Sequence, residues 1–258
     1  MTEKMTYGVL PLYKSFVIQI KIDDEVVQSL NKYLDKLQAS KSRKSYAHTL
    51  VGQIRQRRES QQLLMDHNHE NCRSLKQIVL TAADVYRQQF LKMSPKKSNE
   101  ERIPQIDDMW SVHSYEGDYN IMHTHGCKTL MGISSVLWTK VPKQISDTSK
   151  TIYSSLNNAS GANDGFLGFV CGDGDVTDAE RLKFSGYTPV KPEVGNLYVF
   201  PNWLQHLVWP FFGEGERRTV ATNINMFPLG QLSPEDQERW KKHKEAQQKQ
   251  FGQDGWGE

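Results

Sequence analysis

Residues Ser15 to Ile22, SFVIQIKI, set Phe16, Ile18, Ile20 and Ile22 against the more polar Val17, Gln19 and Lys21, which predicts a half-buried strand. The period then lengthens. In DDEVVQSLNKYLDKL two acids suit a helix N-terminus, and Val27, Leu30, Tyr33, Leu34 and Leu37 fall at helical spacing. CRSLKQIVLTAADVYRQQFLKM does the same with Leu75, Ile78, Val79, Ala82, Tyr86 and Phe90, predicting a second amphipathic helix packed on a larger body. SPKKSNEERIP breaks it.

From Gln105 onward short apolar or alternating segments are separated by Gly, Asn, Asp and Pro, the texture of an antiparallel sandwich or barrel. Strands are expected at MWSVHSY, MGISSVLWTKV, GFLGFVCG, NLYVFPNW and TVATNINM, all rich in β-branched or aromatic residues. The polar stretch from Pro142 to Asp164 reads as a surface loop that could act as a lid. SPEDQERWKKHKEAQQKQ opens with Ser233 as N-cap and Pro234 at the first helical position, predicting a solvated terminal helix. The expected organisation is one domain over 1–258: an N-terminal strand with supporting helices (1–104), a β-rich core (105–229) and a polar C-terminal helix and tail (230–258).

Composition narrows the partners only a little. With 32 Lys+Arg against 30 Asp+Glu, a net charge of +2 and a pI of about 8.3, nothing points to nucleic acid or an anionic membrane. Cys72, Cys127 and Cys171 are odd in number and widely spaced, which fits neither a disulfide framework nor a CxxC site and suits a reducing, cytoplasmic setting. No signal peptide and no bilayer-length apolar run are read, so a soluble protein is expected.

Candidate chemistry begins in GDYNIMHTHG. Two residues apart on a strand, His123 and His125 would share a face and could aim both imidazoles at one point; an exposed polar pair is the blander alternative. Far downstream, GNLYVFPNWLQH places His206 after an apolar strand and a Pro-Asn turn among Trp203, Trp209, Phe211 and Phe212, a credible third ligand. Arg217, Thr219, Ala221 and Asn223 then alternate on one face of the following strand, with Arg218, Val220, Thr222 and Ile224 on the other. An arginine fork and a hydroxyl on one face suit recognition of a carboxylate. His113 reads as a bonded core histidine, Asp118 in EGDYN as a turn residue rather than a ligand, Arg218 as a solvated charge, and Cys127 as a plain small residue.

In content and order, SVHSYEGDYNIMHTH, GNLYVFPNWLQH and GERRTVATNIN resemble the metal-binding and arginine-bearing strands of the iron(II) and 2-oxoglutarate dependent oxygenases. More narrowly, HTH and FPNWLQH followed by GEGER are similar to a branch found in marine bacteria and phages, with HxH in place of HxD. The resemblance spans about Trp110 to Met226. It implies an α+β fold with a double-stranded β-helix (jelly-roll, cupin-like) core, N-terminal helices and a C-terminal helix. It further implies Fe(II), 2-oxoglutarate and O₂ as cofactors. His123, His125 and His206 would be metal ligands, and Arg217 and Thr219, with Asn223 on the same face, would bind the cosubstrate. The expected activity is hydroxylation of an amino acid or peptidyl residue, on a small-molecule or peptidyl substrate.

His125 stands where the family usually has Asp or Glu. A three-imidazole face raises the charge of the site by one and resembles the His₃ set of catalytic zinc, leaving three alternatives open. In one, His125 points away and two histidines hold the metal. In another, the protein is a three-His dioxygenase or zinc hydrolase that does not use 2-oxoglutarate. In the last, it is a non-catalytic β-sandwich binding module. Oligomeric state is not read from the sequence.

Overall fold

The computed structural model describes residues 15–54, 61–94, 100–146, 163–172 and 185–251. In chain order β1 (Ile18–Lys21) leads into α1 (Asp24–Ala39), and β2 (Gly52–Gln53) and β3 (Gln61–Leu64) precede α2 (Arg73–Met93). β4 (Arg102–Ser114), β5 (Tyr119–His123), β6 (Gly132–Lys140), the single turn α3 (Lys143–Ser146), β7 (Leu167–Val170) and β8 (Tyr187–Val190) follow. The chain closes with β9 (Asn196–Pro201), β10 (Gln205–Val208), β11 (Arg217–Pro228) and α4 (Pro234–Phe251). Two antiparallel sheets result, ordered β1-β9-β6-β11-β4-β3 and β2-β5-β10-β7-β8.

The larger sheet is covered on both faces, so its central strands β6, β9 and β11 are buried nearly throughout although β6 and β11 carry several polar residues. On its outer face α1 and α2 lay Leu30, Leu34, Leu75 and Val79 against Leu137, Leu197, Val199, Val220 and Ile224. Each such side chain stabilises by roughly 1.5–3 kcal/mol when fully buried. On the inner side Trp138, Tyr198 and Phe200 pack on Leu167 and Phe169 of the smaller sheet. Both helices start within a residue of their expected positions, and Ser233 caps α4 by accepting from the Asp236 N–H at 3.2 Å.

Several strands go beyond the sequence expectation. β2, β3 and β8 are short and were not foreseen, and β4 and β11 are longer than read, at 13 and 12 residues. Residues 147–162 of the anticipated lid lie outside the described residues; ahead of them Ile145 on α3 is buried. Among the described residues no helix is long and apolar enough to cross a membrane.

Arg218 is a correction. It does face away from Arg217, but that face is covered by α1, so the side chain is 1% exposed rather than solvated. Its charge is met by Glu216 (Nε–Oε1 2.7 Å) and Asp35 (2.8 Å), and Asn31 accepts from Nη1 at 3.2 Å. Glu216 also accepts from Lys140 Nζ at 3.2 Å and from His113 Nδ1 at 2.7 Å. His113, fully buried, bonds Ser111 through Nε2, and burial keeps its pKa below the usual histidine range.

Burial alone would raise the Glu216 pKa, but the donors of His113 and Arg218 outweigh it and bring the carboxyl down to about 2 from 4.5. A depressed carboxyl pKa contributes stability that is complete above the unfolded value and is lost as pH falls through the folded one. Glu216→Gln is therefore expected to cost about 3 kcal/mol near neutrality, because it removes one of the two carboxylates that answer buried Arg218. The variant should also lose less stability than the parent as pH falls from 4.5 towards 2. Urea unfolding at neutral and acid pH checks both.

Candidate metal centre

Cross-strand pairing brings the histidines together. β10 lies between β5 and β7, and its His206 is the Cα partner of His123. β5 ends at His123, so His125 is not on the strand as expected. It lies in the extended segment beyond, where its N–H donates to Asn202 O (2.9 Å) and Asn202 Nδ2 donates back to its carbonyl (3.2 Å). The Pro-Asn turn thus replaces the lost ladder, and the two imidazoles still share a side with ring centroids 5.3 Å apart.

One ligand nitrogen from each of His123, His125 and His206 falls within a group spanning at most 4.8 Å. Each ring is oriented through its other nitrogen. Nδ1 of His123 donates to Ile121 O (2.6 Å), Nδ1 of His206 to Leu204 O (2.9 Å), and Nδ1 of His125 to Asn223 Oδ1 (2.7 Å), which also accepts from Ser134 Oγ (3.0 Å). Those partners are oxygen acceptors, which assigns the proton to Nδ1 and leaves a lone pair on each Nε2. Nε2 of His125 and Nε2 of His206 consequently face each other at 3.1 Å. Two lone pairs at that distance are satisfied only by a shared cation. Burial makes a proton a poor candidate, since it lowers all three pKa values, to about 4 for His125 and about 3 for His206. A divalent metal taking neutral imidazoles fits the donor set.

The same cavity, of about 320 Å³, is lined by Arg217, Thr219, Ala221 and Asn223. Parity on β11 is therefore as expected. Arg217 is 3% exposed, and its guanidinium donates to the carbonyls of Trp209 (2.8 Å), Gly165 (3.1 Å) and Asp118 (3.3 Å) and lies over the Phe211 ring. Burial draws its pKa down to about 10, with Asp118 opposing, so it remains charged at neutral pH. Its three hydrogen bonds all go to backbone carbonyls, and with the Asp118 charge nearby it stands as a buried cation at the wall of the cavity.

Asn223 departs from its expected part, since its side-chain oxygen is engaged with His125 and Ser134. Asp118 is a turn residue, Oδ2 accepting from the Tyr115 N–H at 2.8 Å, and is outside the histidine group. Trp203 is 56% exposed and does not line the cavity; Trp209 donates from its ring to Tyr187 Oη at 2.7 Å. Burial pushes the Cys127 thiol up to about 11, so it is no ready nucleophile. Sequence reading missed Asn202, for which the only signal was its place in the Pro-Asn turn, and Tyr46, Asp108 and Trp110, which line the cavity and carry no motif.

Comparison with known proteins bears on the same residues. The sequence profile of a family described as "Putative 2OG-Fe(II) oxygenase" matches residues 108–223. No curated protein sequence is significantly similar to the chain. Among solved structures, the nonheme α-ketoglutarate dependent epimerase SnoN from nogalamycin biosynthesis is 8% identical over 82% of this chain and 78% of that one, with a TM-score of 0.53. AviO1 from Streptomyces viridochromogenes Tue57 is 11% identical over 81% and 89%, with a TM-score of 0.51. A prolyl hydroxylase from Trichoplax adhaerens, in complex with a hypoxia inducible factor peptide fragment, is 11% identical over 82% and 83%, with a TM-score of 0.50. At these identities the likeness speaks for the fold, a double-stranded β-helix core, while the profile match covers the strands that carry the three histidines and Arg217. By profile over residues 108–223 and by fold over most of its length, the chain is similar to the iron(II)/2-oxoglutarate-dependent oxygenases.

Proposed function

We propose that this oxygenase hydroxylates an amino acid or peptidyl residue, with His123, His125 and His206 holding iron(II) through Nε2 and Arg217 with Thr219 receiving the far carboxylate of 2-oxoglutarate. The observation that carries the reading is the pair of imidazole lone pairs facing each other at 3.1 Å in the cavity that the buried Arg217 also lines. When bound, iron(II) with 2-oxoglutarate and O₂ supplies the oxidation, yielding succinate and carbon dioxide and leaving one oxygen atom for a C–H bond of the substrate.

The chain's own part is positioning and charge. Three neutral imidazoles do nothing to cancel the metal's double charge, so the site favours an anionic cosubstrate more than a two-His, one-carboxylate face would. Arg217 presents a fork held by three backbone carbonyls, which fixes the orientation of a carboxylate with little left to reorganise. Leu167, Phe200 and Val208 line the cavity and limit water around the reacting atoms. Hydroxylation is the default outcome, and the peptide bound by the Trichoplax prolyl hydroxylase supports a peptidyl substrate by analogy of fold.

Anaerobic titration of the iron-loaded protein with 2-oxoglutarate tests this. A weak visible charge-transfer band is expected; its absence in protein that elemental analysis shows to hold metal would favour a three-His enzyme using another cosubstrate. Asn223 is the positioning residue for His125, so Asn223→Ala is expected to weaken iron binding by about 10–100-fold. Competition with a chromophoric chelator measures it.

A further inference from the structure

We infer that the end of the cavity remote from Arg217 is a site for a cationic organic group, a protonated amine or guanidinium, held by Asp108 against the rings of Trp110 and Tyr46. This deepens the oxygenase reading, on which it rests, by assigning the class of substrate.

The cavity wall is built from two paired strands. On β4 and β11 the partners Ser114↔Arg217, Val112↔Thr219, Trp110↔Ala221 and Asp108↔Asn223 all line the cavity. Arg217 and Asp108 thus mark its two ends, six residues apart along the register or roughly 20 Å at about 3.4 Å per residue. Among the described residues that line the cavity, Asp108 is the single carboxylate and Arg217 the single permanent cation. If Arg217 takes an anionic cosubstrate, the negative charge at the other end is left for the substrate to answer.

Local structure keeps that charge available. Pairing jumps from Asn223↔Asp108 to Ile224↔Ile106, so Asp107 is an extra, bulged residue, a device that re-aims side chains beside functional sites. Asp107 is answered by Lys128, whose ammonium is on the exposed side and also feels Asp108 at longer range. Asp108 instead faces the Tyr46 phenol, a neutral group whose pKa burial and the Asp108 charge both raise, so the carboxylate is not cancelled there. Gln62 and Thr49, which also line the cavity, are engaged with each other and with the Tyr46 carbonyl.

Aromatic rings complete the site. Trp110 lies between Tyr46, at 5.2 Å between centroids, and His125, at 5.6 Å, so one wall runs from the carboxylate to the candidate metal ligand. Such faces attract cations through the ring quadrupole. Asp108 is the Cα partner of Asn223, which holds His125, so a cation bound there would place its neighbouring carbons close to the candidate metal.

Shape-matched pairs of probes that differ in charge test the inference on the full chain loaded with iron(II) and 2-oxoglutarate under argon. Pentylguanidine and N-acetyl-lysine amide are titrated against pentylurea and N-acetyl-norleucine amide, and a terminally blocked lysine-containing pentapeptide against its Nε-acetylated form, with binding read by calorimetry. The cationic member of at least one pair should bind about tenfold tighter than its neutral counterpart, and Asp108→Asn should abolish the difference. Preference confined to the small cations would identify a free metabolite; preference for the peptide, a side chain. Equal binding within every pair, no binding by any cationic member, or a preference that survives Asp108→Asn would overturn the assignment. The wild-type comparison stands whether or not the variant folds. The charge-transfer band reports separately on the cosubstrate, so loss of the oxygenase reading is distinguishable from loss of the cation site.

Discussion

His206→Ala protein is expected to fold and to lose iron: affinity should fall by well over 100-fold, since removing even an outer partner of a ligand costs about 10–100-fold. Turnover should drop below detection. His206 is 4% exposed, pinned through Nδ1 to its own turn, and faces both other imidazoles, with ring centroids 4.3 Å from His123 and 4.8 Å from His125. No other nitrogen can take its place, because among the described residues the histidine group has three members. The fold should survive, since the packing of Phe169 on Phe200 between the two sheets, at 5.0 Å, does not depend on the imidazole. Stoichiometric iron in purified His206→Ala protein would sink the ligand assignment. His125→Ala, run beside it, distinguishes a three-His from a two-His centre.

Replacing Arg217 by lysine should raise the dissociation constant for 2-oxoglutarate by about 100-fold, within the 2–5 kcal/mol that truncating one partner of a buried charge pair costs. Lysine keeps the charge and loses the fork, so the experiment isolates geometry. Alanine is a poorer test: it would leave the carbonyls of Gly165, Trp209 and Asp118 without a donor, at roughly 1–3 kcal/mol each, and could unfold the site for that reason alone. Iron affinity read in the same samples reports whether the histidine cluster is intact. An unchanged dissociation constant for 2-oxoglutarate in Arg217→Lys would remove Arg217 from the cosubstrate site.

How much of this was readable from the chain depended on whether the cause was local. Period and capping are local, and α1, α2, α4 and the centre of β11 were legible from them. β10 was not, because QHLV is four residues long and becomes a strand only between β5 and β7. β8 contains Pro189 and is tolerated at the edge of its sheet, a place no pattern reveals. At the site, spacing found the three histidines and the parity of Arg217, but not what orients them. Asn223 reads as one more polar residue on the right face until His125 is seen against it. Arg218 reads as a surface charge until α1, from the other end of the chain, covers it. Asp108 was silent for the same reason: its meaning lies in the cavity it lines.

Two consecutive arginines on β11 serve opposite faces, and a strand displaced by one residue would exchange them, sending Arg218 into the cavity and Arg217 beneath the helices. The outer arginine guards against that error. Only in the observed register does Arg218 meet Glu216, Asp35 and Asn31 together, so the ion network acts as a checksum on strand alignment. Two of those partners sit on α1, outside residues 108–223, and so a helix that never touches the chemistry decides which arginine the cavity receives.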